Sequence, residues 1–493
     1  MGIIIRQSIK ATIINYIGAF IGFLTTMFVI TKFLQPEEIG LTKVLLEVGS
    51  LFAVFAQLGT SASAMRFFPY FKNGKDNNGF FFYLVTLPLV GCVIFIPLYL
   101  FLREPISAFF EKNSSLFVDY YIWVVPLIFF LVYWTVLETY STLSMRIVIP
   151  KFIREIGIRL LLLLLYCFYG FHVIGQSGLV GGFILIYGLA MLAVLWYVSR
   201  IAPVSLKHDV SYIDKSLRKT IFRYTSYLII GALGGTIIAK LDLFMVSAQM
   251  GLSYAGIYAI AFYMATVIEI PSRSITAISS PLAAAALKEE NLEEANQLYK
   301  KVSLHQLIAG SFIFVLIWIN IDNIFAIIPN GVIYSQGKWV VFFIGISKLI
   351  EVTLSFGGSM ITFSKYYRWF LYFTFLITGI TIFTNNLFIP VWGMMGAAMA
   401  TLLTCIISYS LQQWFVLRKI KGNPYSLGTL KQIGVIFLLL GLNCCLPRLM
   451  DPWLDGIYRT FIVGVAGVIF IYLLRISDEI RDIIKLCFQR KKN

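Results

Sequence analysis

The chain has 493 residues, of which 59% are hydrophobic and only 13% are charged. Soluble globular domains carry about 25% charged residues, so this composition argues against a soluble enzyme or binding protein. The net charge of +16 would suit a nucleic-acid-binding protein. However, the excess Lys and Arg lie in alternate connections between apolar segments, as the positive-inside rule describes. The sequence therefore predicts an all-α polytopic membrane protein with no nucleic-acid partner.

Apolar segments long enough to cross about 30 Å of hydrocarbon recur along the whole chain. The first is too long for a signal-peptide core and lacks a small-residue cleavage site, so we expect an uncleaved first span. Fourteen spans are predicted, at 11–33, 41–64, 80–102, 117–138, 152–171, 178–199, 222–248, 252–273, 304–328, 338–361, 368–389, 393–417, 430–447 and 457–475. An even number of spans and the basic alternate loops place both termini in the cytoplasm.

A polar linker divides the chain into two predicted lobes. The expected organisation is an N-terminal lobe at 1–200, a cytoplasmic linker at 201–221, a C-terminal lobe at 222–418, two further helices at 429–475 and a basic cytoplasmic tail at 476–493. An internal repeat supports this division, because FVITKFLQPEEIGLTKVLLEVGSLF from Phe28 aligns without gaps on FMVSAQMGLSYAGIYAIAFYMATVI from Phe244. The two copies have the same orientation, which predicts parallel lobes of six helices each, related by an axis along the membrane normal. The alternative is that any two apolar helices look alike.

The segment 282–302, LAAAALKEENLEEANQLYKKV, has a different pattern. Leu292, Ala295, Tyr299 and Val302 recur at helical spacing, with the charged residues on the opposite face. The pattern predicts an amphipathic cytoplasmic helix that lies along the membrane surface.

Ionisable residues inside the spans are the candidate functional residues, because each costs about 2.5–3.5 kcal/mol to place at the membrane centre. Lys240 and Asp242 lie in the seventh span. They are two residues apart and so point to different sides of the helix. Each therefore needs another partner or a wet cavity. Lys348 and Glu351 in the tenth span share a face at i, i+3, and they either neutralise each other or join Lys240 and Asp242 across a central cavity.

The second span contributes Lys43 and Glu47 at i, i+4 near its outer end and Arg66 at its inner end. Lys43 and Arg66 are long enough to reach the membrane interfaces, so structural anchoring is an alternative role for both. Glu138, Arg159 and Glu269 are interpreted as interfacial residues.

The sequence has no phosphate-binding loop, no nucleophile elbow and no cluster of metal ligands. Its six cysteines lack zinc or redox spacing. We therefore expect neither an enzyme nor a bound metal or cofactor.

Four segments resemble polysaccharide-exporting members of the MOP exporter superfamily. They are Asp242 with the following LFMVSAQMGLSYAGIYAIA, the Pro281-containing SSPLAAAALKEENLEEANQLYKKV, QPEEIGLTKVLL after the first span, and SASAMRFFPYF at the end of the second. The resemblance extends over essentially the whole chain. It implies a flippase of the bacterial inner membrane that moves undecaprenyl-diphosphate-linked oligosaccharides by alternating access, for O-antigen or capsule. The implied partners are the lipid-linked substrate, membrane lipids and polysaccharide polymerase machinery.

The resemblance also suggests roles for the charged residues. A cationic cavity suits a diphosphate, so Lys240 and Lys348 are the leading candidates for headgroup contacts, with Arg66 and Lys43 as further candidates. Asp242, Glu351 and Glu47 would bind a coupling proton or sodium ion, or balance the lysines.

Two alternatives use the same fold. A cation-coupled multidrug antiporter should have an acidic and aromatic cavity rather than lysines. A peptidoglycan-precursor flippase needs several arginines in the N-terminal lobe, and spans one and three have none in their membrane interior. A structural scaffold or membrane-bound enzyme is a more remote possibility.

Overall fold

The computed structural model describes residues 2–71, 80–201, 240–477 and 479, and all regular elements within these ranges are helices. They form two compact units, Met1–Gly256 and Ile257–Asn493. Eleven helices of the described part are long and apolar enough to cross a membrane. The protein is therefore a multi-pass, all-α membrane protein, as the composition predicts.

The first unit contains helices α1 to α11 and the beginning of α12. In chain order they are α1 Gly2–Leu24, α2 Pro36–Ala56, α3 Thr60–Phe71, α4 Phe80–Phe101, α5 Arg103–Glu111, α6 Ser115–Asp119, α7 Val124–Leu143, α8 Val148–Phe152, α9 Ile158–Gly170, α10 Gln176–Ile201, α11 at 240–250 and α12 Leu252–Thr266. Two π-helical segments, Thr25–Ile30 and Ile153–Gly157, extend α1 and join α8 to α9.

The second unit contains the rest of α12 and eight more helices. They are α13 Ile270–Lys288, α14 Leu292–Ile319, α15 Ile321–Ile327, α16 Gly331–Tyr334, α17 Lys338–Phe363, α18 Tyr367–Lys419, α19 Leu427–Cys445 and α20 Pro452–Leu473. Helix α18 bends sharply at Gly393, whose φ of 60° and ψ of −140° lie outside the helical region. This bend divides it into the predicted eleventh and twelfth spans.

The predicted spans agree with these helices. The eleven apolar helices account for twelve of the predicted spans, because the bend divides α18 into two. The continuous helix at 148–170 corresponds to the fifth span. Its apolar character is lower because it contains Arg154, Glu155 and Arg159. Only residues 240–250 of the seventh span are described. The predicted linker at 201–221 lies, apart from Ile201, outside the described residues, as does nearly all of the basic tail, so the predicted lobe boundaries stay predictions.

Two predicted elements differ from the structure. The second span was expected to continue to residue 64, but α2 ends at Ala56 and a turn with positive φ at Leu58 and Gly59 starts a new helix. The amphipathic helix predicted at 282–302 is wrong as a single element. Helix α13 ends at Lys288, Glu290 has a φ of 56°, and the Asn291 side chain accepts a hydrogen bond from the Glu294 amide to cap α14. The amphipathic residues after 291 are therefore the first turns of the membrane helix α14.

The internal repeat is visible as a reciprocal contact. The alignment matches Pro36 with Leu252 and Gly40 with Gly256. A Cβ atom on Gly40 would overlap the backbone carbonyl of Leu252, and one on Gly256 would overlap that of Pro36. Each copy thus places its glycine against the first residue of the other copy's helix, as a local twofold relation between the two motifs requires.

Arg459 on α20 forms an ion pair within its own helix and a hydrogen bond to α19. Arg459 on α20 donates to Asp455 over 2.6 Å and to the Asn443 side chain over 2.6 Å, and both members of the ion pair are 5% exposed or less. Val435 on α19 and Val463 on α20 belong to one apolar core with residues of α14. Because the guanidinium also reaches backbone carbonyls of the loop that joins the two helices, its charge is fully solvated by protein groups.

Candidate functional site

The first charged cluster lies in the first unit, where Lys240 on α11 donates to the carboxylate of Glu47 on α2. The two residues are 193 positions apart in the sequence. Their side chains are 24% and 27% exposed, so the ion pair is largely withdrawn from solvent. The partner that Lys240 requires is therefore Glu47.

Lys43 and Glu47 lie four residues apart on α2, but they do not form an ion pair. Because Glu47 is engaged by Lys240, the half-buried Lys43 ammonium has no carboxylate or hydrogen-bond partner among the described residues. It lies close enough to Lys240 and Arg159 for the positive charges to repel one another. The cluster thus contains a cation that no described acidic group compensates.

Two arginines of this unit are paired with carboxylates. Arg159 donates to Glu155 over 2.9 Å and to the carbonyl of Gly18. Arg154 lies 3.4 Å from Glu138. These contacts join α9 to α1 and the π-helical segment before α9 to α7, and they are sufficient to explain the residues structurally.

The second cluster lies in the second unit around Lys348 on α17. Its ammonium is 2.5 Å from Glu269 and 2.8 Å from Glu351, and it lies 5.5 Å from the centroid of the Phe262 ring. The i, i+3 pair with Glu351 is confirmed. Glu269, which precedes α13, was missed because it was interpreted as interfacial. It also lies 3.5 Å from the exposed Arg273.

The three lysines differ in how many of their N–H donors remain available to a ligand. A lysine ammonium has three N–H donors. Lys348 uses two on its carboxylates and Lys240 uses one. Lys43 uses none on the described part of the chain. The capacity to bind an added anion therefore increases from Lys348 to Lys240 to Lys43.

Two further candidates are only partly placed. Asp242 on α11 is 7% exposed. Arg66 lies on α3, but its side chain is outside the described part of the structure. Within the described residues no three His, Cys, Asp or Glu side chains are arranged to hold a metal ion.

The fold is that of the MOP superfamily. The structure of the lipid II flippase MurJ in an inward closed conformation matches 97% of this chain and 100% of that chain, with a TM-score of 0.70 and 13% identity. An inward-facing multidrug resistance MATE transporter of the MOP superfamily matches 82% and 94%, with a TM-score of 0.64 and 14% identity. A MOP superfamily transporter from Pyrococcus furiosus, described as having a binding pocket of reverse polarity, matches 85% and 96%, with a TM-score of 0.55 and 14% identity.

The sequence gives a narrower assignment within this fold. The chain belongs to the polysaccharide biosynthesis protein family, whose sequence model matches residues 4–284. An uncharacterized membrane protein of Methanocaldococcus jannaschii is 22% identical over 326 residues, a match that spans 61% of each protein.

Proposed function

We propose that this protein is a flippase rather than an enzyme. It moves undecaprenyl-diphosphate-linked oligosaccharide repeat units from the cytoplasmic to the outer leaflet of the bacterial inner membrane by alternating access. The product would feed O-antigen, capsule or another surface polysaccharide, and both termini would be cytoplasmic. The observation that carries the proposal is Lys43, a cation within a membrane helix with no acidic partner in the described structure.

The energetic cost of Lys43 supports a ligand-binding role. In the structure α2 spans Pro36–Ala56, so Lys43 lies about three residues from the middle of the helix rather than near its outer end. A lysine near the membrane centre costs about 2.5–3.5 kcal/mol, and a carboxylate partner would offset that cost. Glu47 is close in sequence and would be such a partner, but it is engaged by Lys240. An anionic ligand that visits the site would supply the missing charge.

A diphosphate has the matching chemistry. Its oxygens accept charge-assisted hydrogen bonds, which are about twice as strong as neutral ones. Lys43 offers three N–H donors and Lys240 two, so the pair can hold a diphosphate at two points. Membership of the polysaccharide biosynthesis family supports a lipid-linked sugar as the group attached to it.

A cation-coupled antiporter is the second candidate, and the cluster around Lys348 favours it. Two carboxylates surround one lysine next to the Phe262 ring, and carboxylates with an aromatic ring bind organic cations well. However, Lys348 already occupies both carboxylates, so a cationic drug would have to displace it. For a flippase, Glu351 is a candidate to bind a coupling proton or sodium ion, with Glu47 and Asp242 as further candidates for that role.

Deletion of the gene tests the proposal. We expect surface polysaccharide to be lost and lipid-linked repeat units to accumulate, with rescue by the wild-type gene and not by Lys43→Ala. Lys32→Ala is the matched control, because Lys32 is an exposed lysine at the end of the preceding span. Intact polysaccharide without accumulation, in a strain with no second flippase, contradicts the proposal. Accumulation of peptidoglycan precursor would instead identify the other lipid-diphosphate substrate.

A further inference from the structure

A cavity of about 280 Å³ lies in the second unit between α17 and α18. Its lining residues are uncharged, and they combine hydroxyl and amide side chains with apolar ones. They include Ser355, Ser359, Thr362, Tyr409 and Gln412, together with the ring of Phe370. We call this cavity the hydroxyl pocket. The function of the charged clusters does not account for it.

The serine hydroxyls of the pocket are uncommitted. Ser347 and Thr353, elsewhere on α17, donate to the carbonyls four residues earlier over 2.8 and 2.7 Å. Such back-bonding is the usual way in which helical hydroxyls are satisfied. Ser355 and Ser359 make no hydrogen bond to any described residue, and neither does the Tyr409 hydroxyl. Three groups that can both donate and accept therefore face one cavity.

The remaining lining completes a site for a neutral polar ring. Gln412 donates to Ser408 over 3.1 Å, and within the described structure its amide oxygen accepts no hydrogen bond. Phe370 supplies an apolar wall for C–H groups. Gly358 keeps the space open, because a Cβ there would lie 2.9 Å from the Gln412 amide oxygen and 3.3 Å from the Phe370 ring.

The hydroxyl pocket and the Lys348 cluster use the same face of α17. Lys348, Glu351, Ser355, Ser359 and Thr362 follow each other at intervals of three or four residues, which is the spacing of a single face. Ser355 lies about 10 Å along the axis from Lys348, at 1.5 Å per residue.

We propose that the hydroxyl pocket is a carbohydrate subsite that holds one uncharged sugar ring. This inference rests on the proposed flippase function and adds to it a specific location for the sugar. Sugar hydroxyls both donate and accept, as do those of Ser355, Ser359 and Tyr409, and the C–H face of the ring packs on Phe370. An organic cation would require a carboxylate in the lining, and a lipid tail would leave the hydroxyls unsatisfied.

The test compares two probes on purified full-length protein in lipid nanodiscs. One probe is undecaprenyl diphosphate carrying a single hexose, and the other is undecaprenyl diphosphate without sugar. The Ser355→Ala/Ser359→Ala variant removes two hydroxyls and adds no bulk to the pocket. With about 0.5–1.5 kcal/mol for each hydrogen bond, we expect its Kd for the sugar-bearing probe to rise about 5-fold or more. Its Kd for the sugar-free probe should remain within about twofold of the wild-type value.

Controls separate the possible failures. Thr353→Val, whose hydroxyl is already satisfied by the Leu349 carbonyl, should change neither Kd. Gly358→Ala fills the pocket without removing a hydroxyl and should also weaken only the sugar-bearing probe. Equal binding of the two probes by wild-type protein, or equal weakening of both by the variants, overturns the carbohydrate subsite and leaves the flippase proposal intact. If the wild type binds neither probe, the flippase proposal fails and the subsite with it.

Discussion

Replacement of Lys240 by methionine would leave Glu47 without its partner inside the membrane. Loss of one member of a buried ion pair costs about 3–5 kcal/mol, and the 24% and 27% exposure of these side chains reduces that figure. The loss of stability also has an upper limit, because the Glu47 carboxylate can take up a proton and become neutral. At pH 7 this costs about 3.7 kcal/mol for an acid with a pKa of about 4.3. We expect the Lys240→Met variant to lose about 2–3 kcal/mol of stability.

The double variant Lys240→Met/Glu47→Gln separates stability from function. Because it removes both charges together, we expect most of the lost stability to return, with a coupling energy of about 2 kcal/mol in the double-mutant cycle. The measurement is equilibrium unfolding in mixed micelles for the wild type, both single variants and the double variant.

Transport by the same double variant then tests the role of Lys240. If its two remaining donors bind the diphosphate, the stable double variant should flip the substrate at least 10-fold more slowly than the wild type in reconstituted vesicles. Wild-type transport by the double variant would refute this reasoning and show that the two charges only neutralise each other. Wild-type stability of Lys240→Met would refute the structural role of the pair.

Three further predictions follow from the packing and the charges. Arg459→Met leaves Asp455 buried without its cation and should destabilise the protein by about 3 kcal/mol, whereas the Arg459→Met/Asp455→Asn double variant should be markedly more stable than the single variant in the same unfolding assay. Gly256→Val forces a side chain onto the Pro36 carbonyl and should lower the thermal unfolding midpoint; an unchanged midpoint would contradict the tight contact. The pKa of Glu479 lies below its ordinary 4.5, chiefly because its own backbone amide donates to it, so its contribution to stability is present above pH 4.5 and is lost as the pH falls below that value. Glu479→Gln should therefore unfold with a weaker acid dependence below pH 4.5 than the wild type, and equal dependence would contradict the assignment.

The helices of this protein can be predicted from its sequence because apolar length alone determines where a membrane helix can form. The ends of the helices are harder to predict from the sequence. The turn at Leu58–Gly59 interrupts a continuous apolar run, and the positive φ at Glu290 interrupts a continuous amphipathic pattern. In both places a local backbone conformation ends the helix without a change in composition.

The pairing of the charged residues is the part that the sequence could not supply. Spacing on a helix identifies only partners on the same helix, such as Lys348 and Glu351. The contact between Lys240 and Glu47 spans 193 residues, and Glu269 reaches Lys348 from a different helix. Such contacts depend on helix packing, which a single sequence does not reveal.

Flipping of a lipid-linked sugar by purified protein is the most direct test of the proposed function. Vesicles reconstituted with wild-type protein should move undecaprenyl-diphosphate-linked oligosaccharide to the opposite leaflet, as measured by its accessibility to a membrane-impermeant probe. Lys43→Ala should reduce the rate at least 10-fold at equal protein abundance, while Lys32→Ala should not change it. Movement by Lys43→Ala at the wild-type rate would contradict the account of the anion site, and no movement by the wild type, with or without a proton or sodium gradient, would contradict the function itself.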